Sequence, residues 1–209
     1  MPIINQVVKG GGGSTPVLYR EFQLDGTGKL IPSTTTTHVM DFTGMTDVSD
    51  YALYRAYYNN TAISGTVSTS DLTTISGSNA CNSMFRGCTR VTTANLSGLT
   101  TISGQGACSS MFNGCTGLTT ANLSGLTTIT GSSACNSMFQ GCTGLIVVYI
   151  GGTTAINFGT YTNQFQGMFQ GCTQNILVYA PAASQAQIEA LYGYPNFGGT
   201  GGVTWHWVS

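Results

Sequence analysis

The sequence predicts an α/β solenoid of about five coils, each giving one strand to a parallel ladder and one short helix to its flank, with a β-hairpin ahead and capping elements behind. Three observations lead there. Residues 107–133 are written again, almost letter for letter, on both sides, and the steps from Ala80 to Ala107 and from Ala107 to Ala134 are both 27 residues. A repeat of this length cannot bury its own apolar face and must stack on copies of itself. Within each repeat the apolar spacing changes from helix-like to the alternation of a strand.

Taken in order, residues 1–13 read as a docking peptide and its joint. Ile3, Ile4, Val7 and Val8 give a short apolar stretch, and Gly10 to Gly13 follow it as a flexible link. The single Lys9 comes after the apolar residues, with no long apolar core or small-residue cleavage site, so this stretch does not read as a secretory signal. Residues 14–38 form an N-terminal β cap: two β-rich runs, 17–24 and 29–31, flank the turn sequence Asp25-Gly26-Thr27-Gly28.

Residues 39–180 are the solenoid proper. Ala107, Cys108, Met111, Phe112 and Cys115 lie at i, i+1, i+4, i+5 and i+8, which predicts one face of a short helix, with Gly114 near its end where a left-handed residue helps. Leu118, Ala121 and Leu123 then alternate with Thr120, Asn122 and Ser124, a strand with its apolar side inward, and Leu126 and Ile129 point inward on the way back. The first coil is irregular by one residue between Ile63 and Leu72, and the last by three near residues 155–162. Residues 181–209 close the array through a helix over 184–192 and a strand over 203–208. There Trp205 and Trp207 share one face, either covering the end of the core or standing exposed as a binding face.

Stacking turns every repeat position into a column, and the columns interpret the seven cysteines. Cys81, Cys108 and Cys135 share a column with Leu53 and Phe165, so that position asks for bulk and burial. Cys88, Cys115, Cys142 and Cys172 form a second column, seven residues on from the first in the clean repeats, with Asn60 preceding them. Seven is odd, and side chains in a ladder run parallel, so buried free thiols are expected rather than disulfides. The spacing is no zinc knuckle, and His38 and His206 lie outside the repeats.

The strand Leu-x-x-Ala-x-Leu, preceded by Met-Phe-x-Gly-Cys-Thr-Gly-Leu, resembles the BspA-like leucine-rich repeats of bacterial surface proteins over about residues 40–180. Ser-Gly-Leu-Thr-Thr-Ile-Ser/Thr-Gly stands where that family has a Pro-bearing strand end and an Ile-Gly turn, so the resemblance is to a variant. It implies a leucine-rich-repeat-like array. The order of short N-terminal peptide, glycine run and repeats also resembles prophage tail-fibre and virion-appendage proteins of gut bacteria.

Composition narrows the function. Charged residues are 6% of the chain, against roughly 25% in an ordinary domain. With six Lys and Arg and a net charge of −1 there is no basic footprint for nucleic acid or for an anionic membrane, and no apolar run is long enough to insert. Acidic residues are absent from the three clean repeats. Gathered at the first coil, Asp47, Asp50 and Asp71 would suit calcium, but they read more plainly as caps or solvated groups. No catalytic residue, cofactor or metal is expected.

What remains is a surface. The outward strand positions stack as Thr93, Thr120 and Val147, as Asn95, Asn122, Tyr149 and Tyr179, and as Ser97, Ser124 and Gly151. Such an array suits either a solvated sheet or a glycan-binding face built from hydroxyls, amides and Tyr rings, and ordered Thr ranks raise ice as a third ligand. The expected role is a non-enzymatic virion fibre or decoration protein. It would be docked to other assembly proteins through residues 1–13, display its repeats toward host glycan or protein, and be open to homo-oligomer formation. The alternative is a BspA-like adhesin at the bacterial cell surface.

Overall fold

The computed structural model describes residues 46–209 except 70 and 71, together with the backbone pairing of five short N-terminal strands. These are β1 (Ile3–Ile4), β2 (Val7–Val8), β3 (Val17–Leu18), β4 (Phe22–Leu24) and β5 (Leu30–Pro32). The hairpin expected around residues 25–28 is present as antiparallel β4 and β5, with Leu24 opposite Leu30. The remainder of the cap and linker, residues 41–45 and Asp71 lie outside the described residues.

The described array is a parallel β-solenoid of about five turns. Its main sheet contains β6 (Ser64–Ser68), β8 (Arg90–Asn95), β10 (Thr120–Leu123), β12 (Val147–Ile150), β13 (Ile176–Pro181) and β14 (Val203–Val208), stacked side by side in chain order. A second, narrower ladder holds β7 (Thr74–Ile75), β9 (Thr101–Ile102) and β11 (Thr128–Ile129), and Asn157 bridges to Thr128. Both follow from the sequence. Ala94, Ala121, Val148 and Val178 on the main sheet and Ile75, Ile102 and Ile129 on the second are buried, while their neighbours along the chain face out.

The third side corrects the expectation of helices. The repeats contain none: among the described residues the only α-helix is α1 (Gln185–Glu189), in the C-terminal cap. Residues 106–115 instead form a ribbon of overlapping turns. The N–H groups of Ala107, Ser109, Met111, Asn113 and Cys115 each donate to the carbonyl three residues back, whereas those of Gly106, Cys108, Ser110, Phe112 and Gly114 donate to the next coil. Every fourth residue is left-handed: Gly106, Ser110 and Gly114 have φ of 59°, 54° and 71°.

This backbone repeats every four residues, two in and two out. The spacing i, i+1, i+4, i+5, i+8 fits a period of 4 as well as it fits 3.6 over so short a span. Half of the ribbon's donors must find partners one coil away, so the ribbon exists only in a stack. The helix expected over 184–192 is likewise shorter, a 3-10 turn at Ala182–Ser184 running into α1.

Three devices set the spacing between coils. Tyr57, Phe85, Phe112, Phe139 and Phe169 stack face to face with centroids 5.3, 5.2, 5.9 and 6.2 Å apart. Glycines sit where backbones meet: a Cβ on Gly131 would lie 2.1 Å from the Gly104 carbonyl oxygen, and one on Gly104 equally close to Gly77. The hydroxyls of Thr73, Thr100 and Thr127 each donate to the carbonyl of the Thr one coil before, Thr46, Thr73 and Thr100.

At the first coil the register shifts between Gly65 and Thr66, but the residue left over is Thr92 on β8, so this bulge is not the extra residue expected between Ile63 and Leu72. At the last, the extra residues are accommodated in the exposed stretches 152–155 and 159–162. Trp205 and Trp207 stack on each other at 5.4 Å and pack against the core, with the indole N–H of Trp205 donating to Pro195. The pair covers part of the end of the core and stays half-exposed.

Candidate binding surface

The main sheet sorts its side chains by strand alternation, and its register is in step with the repeat. Thr66, Thr93, Thr120, Val147, Leu177 and Thr204 are successive partners across the six strands. So are Ser68, Asn95, Asn122, Tyr149, Tyr179 and His206. The first two columns read from the sequence are therefore brought together, each on one line of the outward face.

Ser97 and Ser124 are not on that face as strand residues. They follow the strand ends, and their N–H groups donate to the Oδ1 atoms of Asn95 and Asn122, at 3.3 and 3.0 Å. These bonds turn the chain toward the second ladder. Asn95 and Asn122 thus have a structural duty that occupies one oxygen each.

Toward the C-terminus the column becomes aromatic. The rings of Tyr149 and Tyr179 stack at 5.1 Å and 17°, and His206 continues the stack on Tyr179 at 4.9 Å and 18°. The inner ring faces cover one another. What the column turns outward is its ring edges, with Tyr149 38% exposed. His206 was legible by counting: it lies 27 residues after Tyr179, one full repeat, but the intervening cap hides the period.

The cysteines are spent on packing. All seven are free and buried. The thiols of Cys88, Cys115, Cys142 and Cys172 donate to the carbonyls of Tyr57, Phe85, Phe112 and Phe139, at 3.0 to 3.2 Å. Phe-x-Gly-Cys is thereby explained as a unit: the ring stacks, the glycine takes the left-handed turn, and the thiol ties its coil to the aromatic residue of the coil before. Burial pushes Cys81, Cys115 and Cys135 up to about 12 and Cys172 to about 11, so the thiolate that nucleophilic or metal chemistry needs is disfavoured.

Among the described residues no group of His, Cys, Asp and Glu is arranged to hold a metal. Asp47 accepts from the N–H and hydroxyl of Ser76, and Asp50 from the N–H of Ser78, so these carboxylates serve as coil-to-coil clips. Among the described residues no helix is long and apolar enough to cross a membrane.

The candidate docking residues take part in backbone pairing within their own chain. Ile3 and Ile4 lie opposite Gln23 and Phe22, and Val7 and Val8 opposite Leu18 and Val17. Comparison with family models, curated proteins and solved structures gives no match.

Proposed function

We propose that this chain is a non-enzymatic display scaffold, a fibre or decoration subunit of a virion, docked to its assembly through residues 1–13 and presenting the solenoid surface for attachment to host glycan or protein. The observation that carries this reading is a division of labour. The reactive side chains of the repeat are buried and tied to backbone carbonyls, while the outward column changes along the array from Asn95 and Asn122 to Tyr149, Tyr179 and His206. Freedom confined to the outward positions is what a scaffold with a grafted surface needs. In keeping with the Phe-x-Gly-Cys unit, we read the repeat as a variant BspA-like leucine-rich repeat, one whose helical side has become a turn ribbon.

The test has two arms. Native mass measurement and electron microscopy of the full chain with the products of its neighbouring genes should show it incorporated, and deletion of residues 1–13 should release it. A chain that assembles with nothing, or loses no partner on that deletion, overturns the docking. On a glycan array, binding of neutral glycans that survives Tyr149→Ala together with Tyr179→Ala removes the main sheet as the attachment face. Recovery from the bacterial envelope with no virion component would favour a cell-surface adhesin instead.

A further inference from the structure

The repeats carry their own control for what the fold requires. On the turn ribbon the outward pairs of three successive coils are small and polar: Asn82 and Ser83, Ser109 and Ser110, Asn136 and Ser137. The first coil places Tyr54 and Arg55 there. It also has Tyr51 where Asn79, Gly106 and Ser133 follow, and Tyr58 where Arg86, Asn113 and Gln140 follow.

Tyr51 and Arg55 are held at φ of 56° and 55°, in the left-handed region that bulky side chains avoid and that the later coils give to Asn, Gly and Ser. Burial does not ask for them, since Tyr51 is 58% and Tyr54 44% exposed, and Tyr51 gives the fold only its hydroxyl, which accepts from the Asn79 amide of the next coil. Large side chains kept at strained positions, with no burial in return, mark a functional site.

Their geometry indicates the ligand. The Arg55 guanidinium lies 4.2 Å from the Tyr58 ring centroid and 5.7 Å from that of Tyr54, and Arg86 reaches the same Tyr58 ring at 5.8 Å. Tyr51 and Tyr54 meet edge to face at 5.8 Å. Two like charges share one ring, and among the described residues neither has a carboxylate partner. Asp47 and Asp50 are engaged by Ser76 and Ser78, and Glu189 accepts from Gln185 in the C-terminal cap. A guanidinium laid on a ring keeps its N–H edge free for a planar acceptor, which a carboxylate matches.

We propose that this cluster binds a carboxylate-bearing saccharide, with Arg55 and Arg86 taking the carboxylate and Tyr51 and Tyr54 flanking the sugar ring. The exposed apolar surface is two tyrosines bordered by Ser, Asn and Gly, far short of the apolar centre of a protein interface and the size of one or two sugar units. The inference rests on the display reading above and gives it an acidic ligand, at a site separate from the Tyr149 column.

The test compares retention of oligogalacturonate with that of neutral oligogalactose on the full chain. The expected result is selective retention of oligogalacturonate, weakened at least tenfold by R55S with R86Q, and unaffected by Tyr149→Ala with Tyr179→Ala. R55S installs the residue of the later coils, so the melting temperature should hold or rise. Equal retention of both probes, retention of neither, or oligogalacturonate binding that R55S with R86Q leaves intact overturns the site. Binding lost only in the Tyr149 and Tyr179 variant also overturns it while leaving the display reading standing, and incorporation through residues 1–13 is scored separately.

Discussion

The first coil and the coils of residues 80–134 share a backbone and differ in what they show to solvent. Inward, the first coil keeps the plan with other buried residues: Tyr57 for Phe85 in the ring stack and the bulkier Leu53 for Cys81 in the core. Outward, it replaces Asn, Ser and Gly with Tyr and Arg, even at left-handed positions. Inward columns are buried and constrained by close packing on every side, outward ones far less. Departures from the repeat on the outside are therefore where function is to be sought, and departures on the inside report only volume.

Alkali should break this comparison most severely. A thiol whose folded pKa is raised favours the folded state fully below its unfolded value, and that contribution is lost as pH rises. The window runs from about 8.5 to about 12, at about 1.4 kcal/mol per thiol per pH unit. Two thiols in each central coil and none in residues 46–69 mean that hydrogen exchange at pH 10 should show the central coils opening first. Uniform opening would refute the assignment.

Next in size, Phe112→Ala removes the middle of the ring stack and should cost about 3–5 kcal/mol in urea unfolding. Gly131→Ala, whose Cβ would press on the Gly104 carbonyl, should cost about 1–3 kcal/mol. Gly141→Ala has room, its nearest contact being 3.7 Å away, and is charged only for its φ of 70°, at about 1 kcal/mol. Smallest and opposite in sign, Tyr51→Gly should stabilise by about 0.5–1 kcal/mol in thermal melts, because it gives the first coil the residue that position 106 already has.

How much of this was legible depended on which physical constraint spoke through a single repeat. The solenoid, the inward columns and the free thiols followed from the 27-residue step, because stacking makes equivalent residues neighbours. The turn ribbon did not, because its signature is Ser83, Ser110 and Ser137 at left-handed φ, and serine there looks like an ordinary helix-surface residue. On the sheet, Asn95 and Asn122 were placed in the right column, but the bonds that commit them to Ser97 and Ser124 form only where the strands end. His206 was hidden by the cap. The Tyr51 to Tyr58 segment takes its register from the columns that hold Leu53 and Asn60, yet its meaning needs the backbone angles, since a row of aromatic residues in one coil otherwise reads as core.

The ribbon's hydrogen bonds have a mechanical corollary. Alternate donors of every turn, and the ladders on the other two sides, all point from one coil to the next along the stacking axis. Tension applied along that axis loads these bonds one coil at a time, as in unzipping, and not all together, as in shear. A chain pulled end to end would lengthen in discrete steps of one repeat and recoil by re-templating each turn on its neighbour.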